Sequence, residues 1–308
     1  MPGKKRTKEK KNAISRAESR AAFGFLLPSL IGLSLVTYIP LIAVFVLSFF
    51  KWNGLGDPEF IGVANYVRLF TKDPYLFDSI RATIYFAVIA VIGSVIWSLF
   101  IAILLNRKIP ARGFFRAVFY LPYVLPAMAV YLGWGWLYDY NHGLFNYIIT
   151  SLGGERIMFL ENPAVVVPSL ALITIWLAGN LIVIFLAGLQ NVPRIYYEAA
   201  EIDGANAWKR FWNITLPCMT PIIFYNMLMS LVSSLQIFVP SFSLTSGGPG
   251  NSTTFLSYLI YRYAFTGSGK LGYASAISAI FFVLIGLFTT ILFATSKFWV
   301  FYMGGDDK

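Results

Sequence analysis

Catalysis needs ionisable or nucleophilic side chains that a fold can bring together, and this chain is poor in them. It has one histidine, His142, and one cysteine, Cys218, in 308 residues. A shared metal would need further histidine or cysteine ligands, and a lone cysteine forms no internal disulfide. His142 lies in Asn-His-Gly and reads as a turn residue; Cys218, beside Pro217, reads as a small packing residue. One run imitates a phosphate-binding loop, Thr266-Gly-Ser-Gly-Lys270. It has Leu271 where a hydroxyl should hold magnesium and Ala264 where the first glycine belongs. An enzyme acting on lipid-linked sugars at a membrane would need converging loop acids, for which Asp139, Glu155 and Glu161 are the candidates; no nucleophile and base accompany them.

The remaining chemistry is recognition, and two sets of residues could provide it. The first is a polar stretch between apolar runs: Tyr196, Tyr197, Glu198, Ala199, Ala200, Glu201 and Ile202, then Asp203-Gly204-Ala205 and the aromatics Trp208, Phe211 and Trp212. Pro193 suits a first helical turn, Glu198 suits the positive end of a helix dipole, and Asp203-Gly204 ends the helix in a turn. A second helical piece is expected over 205–214, closed by Leu216-Pro217. The stretch is either an interfacial linker or a helix presented to another protein, with small alanines for close approach and acids for anchorage. The second set is neutral: Thr174, Trp176, Asn180 and Gln190, and further on Asn226, Ser230, Ser233, Ser234, Gln236 and Ser241. Hydroxyls, amides and an indole suit a sugar's polar edge and apolar face. Helical spacing places Asn226, Ser230, Ser233 and Ser234 on one face, with Ile237 a turn on. A small-residue contact between helices is the alternative reading of that face.

These residues belong to a chain built for a bilayer. It is 57% hydrophobic and 12% charged, where a soluble protein carries about 25% charged residues. Six stretches are long and apolar enough to span: 22–49, 83–105, 117–138, 164–189, 221–244 and 273–296, none containing Asp, Glu, Lys or Arg. Cores without charge argue against an ion-coupled secondary carrier, whose relay normally uses buried acids. The net charge of +10 is a topology signal: eight of the 24 basic residues (Lys4, Lys5, Arg6, Lys8, Lys10, Lys11, Arg16, Arg20) precede the first span. With the loops 106–116 and 190–220 and the C-terminal end, one side carries seventeen basic residues and the other seven, so both termini are expected in the cytoplasm. No aromatic-interleaved basic stripe suggests nucleic acid. The first apolar run is about twice a usual signal-peptide core and reads as a retained anchor. Pro240 is expected to break the fifth span beside a cavity, as in discontinuous transporter helices. The chain thus divides into a basic tail, 1–20, a six-helix domain, 21–300, and a short tail, 301–308.

Glu198-Ala199-Ala200, Asp203-Gly204-Ala205, Phe211, Ile214, Leu216-Pro217 and Pro221 together resemble the EAA motif of permease subunits of ATP-driven, binding-protein-dependent importers. Gly188-Leu189-Gln190 with Pro193 and Tyr197, the run Gly62 to Tyr66, and Thr245 to Gly250 are similar to the carbohydrate-uptake permeases of the maltose and glycerol-phosphate type, and to the first of two non-identical permeases. The resemblance covers 23–299; the maltose subunit has extra N-terminal spans and a large external insertion that this sequence lacks. It implies an all-α integral membrane protein, the six-helix permease fold of type I importers, in a bacterial or archaeal cell membrane. It further implies that 195–205, within the loop 190–221, is a coupling helix seated in an ATPase subunit through Tyr197, Glu198, Ala199, Ala200, Asp203, Gly204 and Ala205. Sugar contacts would come from the spans on either side: Trp176, Asn180, Ser230, Ser234 and Ile237. The implied partners are a second permease, two ATP-binding subunits that carry ATP and magnesium, and an extracytoplasmic solute-binding protein. The implied cargo is a carbohydrate, an oligosaccharide ahead of a polar solute such as glycerol 3-phosphate.

Overall fold

The structure, a computed structural model, describes residues 18–19, 21–267 and 269–301. The basic tail 1–20, apart from Glu18 and Ser19, and the segment 302–308 with Lys308 lie outside the described residues. In chain order the elements are α1 (Ala21–Leu47), β1 (Phe50–Lys51), β2 (Glu59–Phe60), α2 (Ala64–Lys72), α3 (Leu76–Asn106), α4 (Arg112–Val124), α5 (Ala127–Leu137) and α6 (Leu144–Ser151). There follow α7 (Pro163–Trp176), α8 (Gly179–Asn191), α9 (Arg194–Ile202), α10 (Ala207–Leu235), α11 (Leu256–Phe265) and α12 (Leu271–Ser296).

Helices α1, α3, α10 and α12 are each long and apolar enough to cross a membrane, and two bent pairs bring the spans to six. The third span, expected over 117–138, is sharply broken. Its halves, α4 and α5, meet at 100°, because a residue before proline is driven from the helical region: Leu125, at φ −70° and ψ 148°, precedes Pro126. The fourth span bends by 49° between α7 and α8. Neighbouring helices add side-chain bonds at the bend: Ser98 Oγ donates to the Ala178 carbonyl at 3.2 Å, which also accepts from the N–H groups of Leu181 and Ile182, and Asn226 Nδ2 donates to that of Leu181 at 3.4 Å.

The fifth span also departs from expectation. Pro217 does not separate a loop helix from the span; α10 runs unbroken through Pro217 and Pro221 to Leu235. A π-helical turn, Phe211–Thr215, interrupts the usual ladder just before Pro217, where a proline would otherwise clash and leave a donor missing. Pro221 cannot donate to the carbonyl of Pro217, and Thr220 Oγ1 takes its place at 2.7 Å. The helix then ends at Leu235, with Gln236 as its C-cap four residues ahead of Pro240, and a further π-helical turn occupies Ser241–Thr245.

Helix α3 lies at the centre, packed against α7, α8 and α10. Its buried rows include Ala82, Ala90, Ser94, Ser98 and Ala102, small residues that let helices approach closely where no hydrophobic force acts between them. The loops at one end form a tied cap. β1 pairs antiparallel with β2, Asn65 Nδ2 donates to the carbonyls of Ser48 and Phe50 at 2.9 and 3.0 Å, and Tyr66 OH donates to Ser48 Oγ at 2.7 Å. This is the structural use of the run Gly62 to Tyr66. Asp73 caps α3 by accepting from the backbone N–H groups of Tyr75 and Leu76, and its other oxygen accepts from Tyr263 at 2.6 Å and Tyr273 at 2.8 Å. Burial, then the adjacent Asp73 carboxylate, push the Tyr263 phenol well above its ordinary pKa, so it stays a donor at physiological pH. The run Thr245 to Gly250 is closed by hydroxyls: Thr253 Oγ1 donates to Gly248 and Thr254 Oγ1 to Gly247.

Candidate functional site

The polar stretch after α8 folds as a helix that none of its own residues buries: every residue of α9 is at least partly exposed. Ile195 and Ile202 are 67% and 88% exposed, and Tyr196, Glu198 and Ala199 are exposed beside them. At spacings of four and three, Ile195, Ala199 and Ile202 make one apolar stripe with Glu198 at its edge. An isolated nine-residue helix is marginal in water, so a helix this bare needs its ends held. Pro193 stands at the N-cap with Arg194 the first helical residue. At the other end Ala205 N–H donates to the Ala200 carbonyl at 2.8 Å and Gly204 N–H to that of Glu201 at 3.1 Å. That is a complete Schellman closure, which requires a left-handed residue, and Gly204 has φ +74°. Asn206 then caps α10, its Oδ1 accepting from Lys209 N–H at 2.9 Å. The segment 203–206 is thus a tight corner between two helices.

Tyr197, half-buried, hydrogen-bonds Thr215 at 2.9 Å and fastens α9 to the π-helical turn of α10. Arg210 reaches Glu201 at 3.7 Å. α9 and the fifth span therefore meet in a bonded corner. Sequence reasoning found the helix and its turn but missed Thr215 and Asn206 as its fasteners. Asn206 was legible as a helix cap three residues before Lys209; Thr215 was not, because its partner is eighteen positions away.

The second set of residues is divided by the packing. Trp176 ends α7 at the bend, 38% exposed, and meets Trp134 edge to face with ring centroids 5.5 Å apart. Asn180 lies just beyond the bend, half-buried. Asn226, Ser230 and Ser234, each four residues apart, form a buried row at 0%, 7% and 2% exposure. Ser233 does not share it: one residue is 100° of helical turn, and Ser233 falls on the exposed side with Tyr225, Met229 and Gln236. Ile237 is half-buried against the cluster that contains Phe86 and Tyr138. An exposed row over 225, 229, 233 and 236 thus runs along α10 on a different side from the buried row 226, 230 and 234.

At the cap, Asp139 Oδ1 accepts from the backbone N–H groups of Asn141 and His142 at 3.0 and 2.7 Å. These bonds, that of His142 first, hold the Asp139 carboxyl below its ordinary pKa. The Asn-His-Gly turn is therefore organised by Asp139, and among the described residues no group of three or more His, Cys, Asp or Glu comes together as a metal site.

Residues 94–299 match the family model described as a binding-protein-dependent transport system inner membrane component. The chain is 35% identical over 302 residues to a probable ABC transporter permease protein, YesP, of Bacillus subtilis, covering 97% of each. It is 30% identical over 283 residues to the trehalose/maltose transport system permease protein MalF of Thermococcus litoralis, covering 91% of this chain and 95% of that one. Its fold matches a chain in the crystal structure of a bacterial ABC transporter involved in the import of the acidic polysaccharide alginate, with TM-score 0.79 and 22% identity, covering 93% and 98% of the two chains. A six-span bundle with a projecting capped helix, a family match over two thirds of its length and a full-length relative lead to one assignment: the chain is a multi-pass membrane protein that belongs to the binding-protein-dependent transport system inner membrane components, the permease subunits of ABC transporters.

Proposed function

We propose that this permease carries a carbohydrate, an oligosaccharide by preference, across the cell membrane together with a second, similar permease, and that α9 couples the pair to ATP-binding subunits. The observation that carries this reading is α9 itself: an amphipathic helix with its apolar stripe and Glu198 unpacked, held rigidly at both ends and bonded to the fifth span. A helix so mounted fits a cleft on another protein and converts closure of that protein into tilting of the bundle. Both termini and α9 face the cytoplasm, in line with the seventeen-to-seven division of basic residues. The tied cap takes the loaded solute-binding protein at the opposite end. ATP and magnesium belong to the ATP-binding subunits, where hydrolysis occurs.

The carbohydrate assignment draws on the neutral character of the exposed row and on relatives named for sugar transport, among them a multiple sugar-binding transport system permease of Streptococcus mutans. Trp176 and Asn180 supply the aromatic plane and an amide, and Ser233 and Gln236 the exposed polar groups of α10. Ser230, Ser234 and Ile237 lie behind this face and reach cargo as the bundle opens. Alternating access follows: loaded binding protein and ATP favour the outward-open state, and hydrolysis resets it.

Two experiments test these assignments. Purified from cells that also express the neighbouring ATPase gene, the chain is expected to bring the ATPase with it, and Glu198→Lys to reduce the recovered ATPase at least about fivefold by reversing an anchoring charge. Full retention would remove α9 as the docking element. For the cargo face, Trp176→Ala or Asn180→Ala is expected to raise the sugar concentration for half-maximal uptake about tenfold, the worth of one aromatic or hydrogen-bonding contact, with ATPase recovery unchanged. Unaltered uptake in both would place the path elsewhere.

A further inference from the structure

Beside the coupling corner, lined in part by its Tyr197 and Thr215, lies a recess of about 450 Å³ to which the function above assigns no ligand. Its floor is Ile103 and Leu189, at the ends of α3 and α8; its walls carry Asn106, Arg107 and Arg210, and Trp208 stands at the rim. We propose that this recess binds the phosphate of an anionic glycerophospholipid, of the phosphatidylglycerol type, in the cytoplasmic leaflet. The proposal rests on the cytoplasmic placement of this end given above.

Charge is the first argument. Among the described residues Arg107 makes no ion pair or side-chain hydrogen bond, so its five donors are free. Arg210 has one carboxylate near it, Glu201 at 3.7 Å, whose side chain is 74% exposed, and such a pair is weak in water. Arg112 stands close by, donating to the Leu105 carbonyl at 2.6 Å and to Asn106 Oδ1 at 3.5 Å. Two guanidinium groups thus line the recess, with that of Arg112 held on the neighbouring Leu105 and Asn106, against a single solvated acid. Planar guanidinium forks match phosphate oxygens in pairs.

Depth is the second argument, and it separates a lipid from a soluble anion. The floor is made by apolar residues in the last turns of two spans, so the recess opens at the boundary between hydrocarbon and headgroup. Trp208 and Trp212, 69% and 48% exposed, meet edge to face 5.6 Å apart, as indoles do where they anchor a protein at that boundary. A phosphate between Arg107 and Arg210 would leave its glycerol and acyl chains over apolar residues, and basic recesses between spans on the cytoplasmic side are suited to such headgroups. Bound there, the lipid joins the end of α3 to the start of α10 and stiffens the corner that holds α9. Coupling would then respond to the anionic lipid content of the membrane.

The test uses the assembled transporter in nanodiscs of equal parts phosphatidylglycerol and phosphatidylethanolamine, with retained lipid read by native mass spectrometry after detergent transfer. The wild-type assembly is expected to retain phosphatidylglycerol about fivefold over phosphatidylethanolamine, and Arg107→Gln with Arg210→Gln to remove the preference. Arg107→Gln alone lies outside the coupling loop and should lower it about threefold even if the double variant fails to assemble. Arg68→Gln, at the opposite end, should leave it intact. Equal retention in wild type and Arg107→Gln overturns the proposal. Displacement of the lipid by soluble glycerol phosphate would assign the recess to a free anion, and cross-linking of an Arg107→Cys chain to the ATPase would assign it to a protein side chain; either outcome also overturns it. Because retained lipid is read by mass, loss of the ATPase in Glu198→Lys leaves this measurement standing, and the two readings fail separately.

Discussion

Gly204→Val is expected to separate this permease from its ATPase without removing it from the membrane. Gly204 adopts φ +74°, and a Cβ built there meets nothing within 4 Å, so the residue has ample room and an unusual backbone. The left-handed region costs an L-residue about 1–2 kcal/mol, with a β-branched side chain at the upper end or beyond. Valine relieves the strain by abandoning that region, which breaks the closure of Ala205 on Ala200 and of Gly204 on Glu201 and reorients α9 against α10. At 1.4 kcal/mol per tenfold, ATPase recovery and sugar uptake should each fall about tenfold or more. Gly204→Asn should retain most of both, since asparagine tolerates this conformation. Recovery of the ATPase with Gly204→Val at the wild-type level would show that the corner does not transmit the motion.

Gly272→Ala should damage the fold itself. A Cβ at Gly272 would lie 1.9 Å from the carbonyl oxygen of Phe50 and 3.2 Å from the backbone nitrogen of Trp52. Gly272 N–H also donates to the Trp52 carbonyl at 3.1 Å, so α12 begins pressed against the end of β1. Backbone cannot swing aside as a long side chain can, and one methyl forces apart the junction that joins the cap to the sixth span. The cost should be about 3 kcal/mol or more, above ordinary overpacking, with a fall of roughly 5–10 °C in the midpoint of thermal aggregation in detergent. Gly286→Ala, on the same helix with nothing within 4 Å, should leave that midpoint unchanged or raise it. Equal midpoints for the two variants would refute the close approach at Gly272.

The two variants fail for different reasons, and those reasons mark what could be read in advance. The turn at Asp203-Gly204 was legible, because a glycine after a short alanine-rich helix has a local use. The approach of Gly272 to Phe50 was not, since its cause lies more than two hundred positions away in the chain. The number of spans, their uncharged cores and the exposed helix between the fourth and fifth were likewise legible: each depends on composition within one segment. Which proline or glycine bends a span, and by how much, was not. Pro122 and Pro126 are both prolines in one apolar run, yet Pro122 sits within α4 while the chain turns through 100° at Pro126. Pro217 and Pro221 leave α10 intact because a π-helical turn and Thr220 absorb their missing donors.

Serine placement follows the same division. Sequence spacing grouped Ser230, Ser233 and Ser234, but a helix in lipid has no polar solvent to declare which side is outward, and apolar residues occur all round it. The packing of α10 on α3 and α8 made that choice, burying Ser230 and Ser234 and leaving Ser233 with Gln236 on the open side. By itself, the order of residues determined that this protein lives in a membrane, how many times it crosses, and where a capped helix leaves the bundle, since hydropathy and capping act over a few neighbouring positions. Only the tertiary structure decided where the spans bend, which hydroxyls are buried and what fastens α9 to the fifth span, because those depend on backbone groups and side chains brought together from distant parts of the chain.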